Sequence, residues 1–258
     1  MTRRGLLVAA ILLASCSRHS EFVPRHVTLG EHIYRYRVWV PSHYTKVHKW
    51  PVILYLHGSG ERGDDNLRPL ANGLPATLQR DGEPYRCIVV IPQCRYGQEW
   101  YGEMELQALA TLEQTIREFN GDRSRIYLTG ISMGGAGAWY MARHRNKFAA
   151  TVPVSGEVTR QPDDPFPTEL PPDLAAILGA TDPFASLAST IGAMPVWAFH
   201  GAKDPVIPVT QSRKMIAALR AQDPYVHYTE FPNGEHEIWD AAYGDREMVK
   251  WLLRQKKR

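Results

Sequence analysis

Cysteine, net charge and long apolar runs are all scarce in this 258-residue chain. The cysteines are Cys16, Cys87 and Cys94. The last two bracket "IVVIPQ". As a strand, that run would hold their α-carbons roughly 20 Å apart, beyond disulfide reach, so both are expected to be free and buried. A zinc site needs more cysteine and histidine at close spacing than the chain offers, so no metal is expected. Formal charge is only +3, and it falls near zero once Arg3 and Arg4 are set aside with the leader described below. No basic face for nucleic acid is implied. No uncharged apolar stretch reaches the roughly 18 residues of a bilayer-spanning helix. Internal repeats and low-complexity linkers are also missing, and a single domain with a sizeable core is expected at this length.

What is present begins with "MTRRGLLVAAILLASC": two arginines, an uncharged run from Gly5 to Ala14, then small residues up to Cys16. That is the three-part build of a secretion signal. The stretch "LASC" resembles the lipobox of bacterial lipoproteins. The resemblance implies removal of residues 1–15, acylation of Cys16, and a tether over residues 16–26 that holds the protein at a membrane without crossing it. Ser17 resembles the pattern of lipoproteins sent to the outer membrane, so an envelope protein facing the periplasm is expected. The basic end "RQKKR" could touch anionic lipid, but a solvated helix end is the plainer reading.

From Phe22 onward, β-rich runs alternate with helical stretches. The strands expected are "HVTL", "IYRYRVWV", "PVILYLHG", "CIVVIPQ", "RIYLTG", "ATVPVSG", "PVWAFHG" and "VHYTEFP". Several are continuous Val/Ile/Leu runs, the mark of strands covered on both faces. Helices are expected over 104–119, from Gly134 to Arg145, over 208–222, and as one long segment "EIWDAAYGDREMVKWLLRQ". In the first, Leu106, Leu109, Leu112, Ile116 and Phe119 recur at helical spacing, so that face should dock on a sheet. The alternation predicts an α/β fold with a mostly parallel sheet of eight strands flanked by helices. The first two strands, joined by "GE", read as an antiparallel hairpin at one edge. Residues 157–193 break the rhythm with prolines and an excess of carboxylates. The sequence leaves open whether this insertion roofs the site.

Chemistry enters at "GISMGG", residues 130–135. Ser132 stands where a strand meets a small-residue helix, in the Gly-x-Ser-x-Gly pattern of a nucleophile elbow. The turn is so sharp that side chains two places to either side would collide, so Gly130 and Gly134 fill those positions. A serine hydroxyl needs a base to take its proton, and the base needs an anion to fix its tautomer. Asp204 follows the strand "PVWAFHG" and His236 follows "VHYTEFP". The competing acid, Asp182, lies in the proline-rich insertion. The competing histidines, His57 and His200, precede glycines at strand ends and read as parts of tight turns. Around Glu61, Arg62, Asp64 and Asp65, a loop held by arginine–carboxylate pairs is the plain reading. Trp100 and Trp139 are read as packing.

From about residue 27 to the end, "LHGSGERGDDN", "GISMGGAGAW", "FHGAKDPVIP" and "GEHEIW" resemble the α/β-hydrolase superfamily, in its bacterial esterase and prolyl oligopeptidase-like branches. The resemblance implies a domain over 27–258, a Ser132/His236/Asp204 triad, and an oxyanion hole made by the backbone N–H groups of Ser59 and Met133. It also implies hydrolysis of a small or polymeric carboxylic ester without any cofactor. A peptidase of the prolyl oligopeptidase-like kind and a non-catalytic binding protein on the same scaffold are the alternatives. Acyl and alcohol specificity and oligomeric state have no readable code in the loops.

Overall fold

A computed structural model describes residues 20–160, 169–223 and 225–257. Cys16 and the leader lie outside the described residues. The chain enters through β1 (Glu21–Leu29) and β2 (His32–Val40), an antiparallel hairpin turned at Gly30 and Glu31 with Gly30 at φ 56°. Six parallel strands follow: β3 (Trp50–Leu56), β4 (Ile88–Pro92), β5 (Gly121–Ile131), β6 (Ala150–Val154), β7 (Trp197–Gly201) and β8 (His227–Phe231). Among the described residues they form one eight-stranded sheet in the order β1-β2-β4-β3-β5-β6-β7-β8, with β2 antiparallel to β4. This is the α/β-hydrolase arrangement.

The apolar runs explain how the layers form. In β3, Val52, Leu54 and Leu56 face one core while Ile53 and Tyr55 face the other, all essentially inaccessible to solvent. Strand period two therefore turns a continuous apolar run into two buried faces. Helices α2 (Glu103–Glu118), α3 (Met133–Met141) and α6 (Thr210–Arg220) cover the first face. Helices α1 (Gly73–Asp81), α7 (Trp239–Gly244) and α8 (Arg246–Arg254) cover the second.

Four details depart from the sequence reading. Strand β1 begins at Glu21, inside the stretch read as tether. Pro24 and the charged neighbours obscure its alternation, yet an edge strand tolerates proline, and Val23, Val27 and Leu29 pack on the core. Leu106 is 64 % exposed. The docking face of α2 runs through Met104, Ala108, Leu112 and Thr115, and Leu106 lies roughly 150° round the helix from its centre. The described residues of the insertion form two helices, α4 (Pro172–Leu178) and α5 (Pro183–Ile191), each begun by proline in its first turn. The C-terminal helical segment is two helices, because Asp245 is extended and its carboxylate accepts from the N–H groups of Glu247 and Met248 to start α8. Cys87 and Cys94 are free and buried, as expected.

Candidate active site

All parallel strands point the same way, so the loops after β5, β7 and β8 gather at the sheet's carboxyl edge. Ser132 follows β5 and adopts φ 53°, ψ −119°, a region that a residue with a Cβ occupies only when its surroundings enforce it. The enforcement is close packing. A Cβ on Gly130 would lie 2.2 Å from the Gly134 carbonyl oxygen, and one on Gly134 would lie 2.0 Å from that of Leu56. The Ser132 N–H donates to Val154 O at 3.0 Å, and its carbonyl accepts from Ala136 N as α3 begins.

Asp204 and His236 come from neighbouring loops tied to each other by backbone bonds, Ala202 N to Phe231 O and Lys203 N to Gly234 O, both 2.9 Å. His236 Nδ1 lies 2.7 Å from Asp204 Oδ2, and its Nε2 lies 2.9 Å from Ser132 Oγ. The structure thus brings the three side chains into one hydrogen-bonded line. Asp182, the competing acid, instead caps α5 by accepting from Ala185 N.

The side chain of Asp204 is enclosed, and each of its oxygens is engaged. Oδ1 accepts from the N–H groups of Val206 and Ile207 at 2.8 and 2.9 Å. Oδ2 faces both His236 and, at 3.2 Å, His200 Nε2. Burial alone would raise the carboxyl pKa, but donation by His200, His236 and the two backbone groups holds it well below the usual carboxylate range. The carboxylate therefore stays charged throughout the neutral and mildly acidic range.

Sequence reasoning missed three contributors. His200 is no mere turn former: fully buried, it sits between Ser212 Oγ (2.7 Å from Nδ1) and the Ile207 carbonyl (3.0 Å from Nε2), with Asp204 beside it. The Ile207 contact requires a proton on Nε2, which leaves Nδ1 to accept from the serine hydroxyl. Trp239 presents its ring edge-on to His236 at 5.6 Å and donates to Asn72 Oδ1 at 2.6 Å, so the N-cap of α1 braces the imidazole. No local spacing marks any of these contacts, which join residues from separate strands and loops.

The loop after β3 approaches the serine from the other side. A Cβ on Gly58 would stand 3.6 Å from Ser132 Cβ. Ser59 and Met133 are the first residues of the short helix after β3 and of α3, and among the described residues no main-chain acceptor outside the helices engages either N–H. Within the loop Asp65 pairs with Arg68 at 3.2 Å, while Arg62 reaches across to Glu99 at 3.7 Å. Underneath lies His57, fully buried, donating from Nδ1 to Gly58 O and accepting the Cys94 N–H on Nε2. Trp100 donates to the His57 carbonyl at 2.9 Å.

Burial lowers the His57 pKa to about 4 from 6.5. Between those values the unfolded chain takes up a proton that the folded state refuses, so stability falls as pH drops from 6.5 towards 4. The expected loss from this group is about 3 kcal/mol. Urea unfolding of the wild type and of His57→Gln at several pH values measures it. The variant should be less stable at pH 7 but show a shallower acid slope, and equal slopes would contradict the assignment.

A family model described as the prolyl oligopeptidase family matches residues 94–257. The chain belongs to that family. Among curated relatives, a carboxylic ester hydrolase of Gibberella moniliformis is 28 % identical over 149 residues, covering 48 % of this chain and 26 % of its own length. The chain spans only 16 to 26 % of the length of the curated relatives it matches. Among solved structures, a thermostable esterase superposes with a TM-score of 0.75 at 27 % identity, covering 92 % of this chain and 63 % of that one. The Staphylococcus aureus fluorophosphonate-binding serine hydrolase F gives a TM-score of 0.69 at 17 % identity, covering 92 % of this chain and 100 % of its own, and attests the fold. Two of these relatives are thus ester hydrolases and the third is a serine hydrolase.

Proposed function

We propose that this member of the prolyl oligopeptidase family is a serine hydrolase that cleaves a carboxylic ester through an acyl-enzyme. The observation carrying the reading is the unbroken line from Asp204 through His236 to Ser132, at 2.7 and 2.9 Å. His236 takes the hydroxyl proton as Ser132 attacks the carbonyl carbon, and Asp204 stabilises the imidazolium so formed. The carbonyl oxygen, now negative, accepts from the N–H groups of Met133 and Ser59. Such donors typically contribute about 3 kcal/mol each to the barrier reduction. As the tetrahedral species collapses, the C–O bond to the alcohol breaks and His236 returns the proton to the leaving oxygen. Water then repeats the sequence on the acyl-enzyme and regenerates Ser132. The residues accomplish this without a cofactor.

The family match favours one second reading, peptide hydrolysis, because the same groups cleave amides. Rates on a p-nitrophenyl butyrate series and on peptide p-nitroanilides, each divided by its own uncatalysed rate, separate the two. The ester is expected to show the higher kcat/KM and a substantial enhancement over water. A larger enhancement on the anilides would replace the esterase reading with the peptidase one.

A further inference from the structure

If the carboxyl edge of the sheet holds the triad, the opposite, amino edge is free for another task, and its chemistry is distinctive. Lys46 and Lys49 precede β3, Arg86 precedes β4, Lys147 precedes β6, and Lys256 and Lys257 follow α8. Carboxylates at this edge are largely engaged. Glu113 takes Arg123 at 2.9 Å and Lys147 at 3.4 Å, Asp122 takes Arg125 at 2.7 Å, and Glu83 faces His43. Arg123, Arg143, Arg145, Lys147 and Lys257 line one concavity of about 490 Å³ together with a single carboxylate, Glu113. Burial, and then the positive charges of Arg123 and Lys147, lower the Lys257 pKa. Arg123 and Lys147 pair with Glu113, and Arg143 with Glu105 and Asp173, so the cations of this edge that face solvent are chiefly Lys46, Lys49 and Lys256.

The apolar tips are the second observation. Val47 and Tyr225 are each 84 % exposed, more than any other large hydrophobic residue among the described residues, and both lie on this edge. Val47 sits in the loop "KVHK" between Lys46 and Lys49. Tyr225 shares a second concavity with Trp251, Lys256, Lys257 and one carboxylate, Asp223, which accepts from the Tyr225 N–H. Lysines beside exposed aromatic and aliphatic tips are the composition of a surface lying at the boundary of a bilayer, with tips among the headgroups and ammonium groups on phosphates. A soluble polyanion would satisfy the cations but leave the tips in water. Ser20 is on the same edge, beside Trp50 and Arg86. Residue 16 is four residues away, at most about 14 Å along the chain.

We infer that the amino edge of the sheet is a docking face for an anionic phospholipid membrane, which turns the triad edge away from the bilayer and towards substrates in the adjoining aqueous compartment. The face does not require acylation of Cys16. Its consequence for substrate class, a soluble or polymeric ester and not a lipid of the same membrane, rests on the hydrolase reading above.

The test uses the full chain carrying Cys16→Ser, so that no acyl group contributes, and the same leader in every sample. Co-sedimentation is measured with phosphatidylcholine vesicles containing about 30 mol % phosphatidylglycerol and with pure phosphatidylcholine. Binding to the anionic vesicles should be at least tenfold tighter and should be lost at about 0.5 M salt. The triple variant Lys46→Glu, Lys49→Glu, Lys256→Glu should weaken it at least tenfold while leaving ester kcat/KM unchanged. Val47→Ser with Tyr225→Ser should weaken it severalfold without altering the salt dependence. Equal binding to both vesicle types, or undiminished binding by the triple variant, overturns the inference. So does heparin binding that competes fully with the vesicles and is unaffected by loss of the apolar tips. Absence of esterase activity in every form would count against the hydrolase reading and leave the vesicle result standing.

Discussion

Replacing Ser132 by alanine is expected to lower ester kcat/KM by about 10⁴- to 10⁶-fold and to abolish covalent labelling by a fluorophosphonate, with little change in the unfolding midpoint. Alanine keeps the Cβ that the turn already accommodates and removes only the Oγ that lies 2.9 Å from His236 Nε2. The backbone bonds to Val154 and Ala136, which hold the turn, do not involve the side chain. Residual activity should come from the Met133 and Ser59 N–H groups and from substrate binding. Because nucleophile and base act as one unit, His236→Ala should cost a similar factor, and the double variant should be little worse than either single one. Active-site labelling and initial rates on p-nitrophenyl butyrate measure this. Retention of activity within tenfold of wild type would remove Ser132 from the chemistry.

Much of this site was legible because its chemistry constrains the chain locally. The serine's left-handed turn excludes Cβ atoms at Gly130 and Gly134, and the need for an acid and a base after successive strands singled out Asp204 and His236. The parallel strands were legible for a related reason: "VILYL" and "IVVIP" can be buried on both faces only inside a helix-covered sheet. What failed to show lacks such a local rule. Edge strand β1 contains Pro24, which is permitted because among the described residues only one side of the strand is paired. Leu106 obeys helical spacing with Leu109, yet the register of α2 is set by Met104, Ala108 and Leu112, whose contacts come from distant strands. His57 and His200 share a His-Gly sequence at strand ends, and nothing local distinguishes a turn residue from a buried hydrogen-bond hub. Only the arrival of Cys94 in one case, and of Ser212 and Asp204 in the other, defines the role.

The surroundings of Asp204 make its amide replacement unusually informative. In Asp204→Asn, the side-chain oxygen should take the Oδ1 position, because the N–H groups of Val206 and Ile207 at 2.8 and 2.9 Å demand an acceptor there. The amide NH₂ is then forced into the Oδ2 position, facing His236 Nδ1. A donor at that place requires Nδ1 to accept, which moves the imidazole proton to Nε2 and points it at Ser132 Oγ. The base is then protonated on the nitrogen that must receive the serine proton. A fall in kcat of about 10⁴-fold is expected, with KM changed far less. His200 adds a second conflict, since its Nε2–H, 3.2 Å from the carboxylate, would now meet another donor and find relief only in the Ile207 carbonyl. His200→Phe in the wild-type background should therefore lower activity by a smaller factor, and His200→Gln, which keeps a donor, should recover much of it. The ¹H NMR signal of the imidazole Nδ1 proton, expected well downfield in wild type and absent in Asp204→Asn, reports the tautomer directly. A variant that retained that proton together with full activity would show that the carboxylate does not set the state of His236.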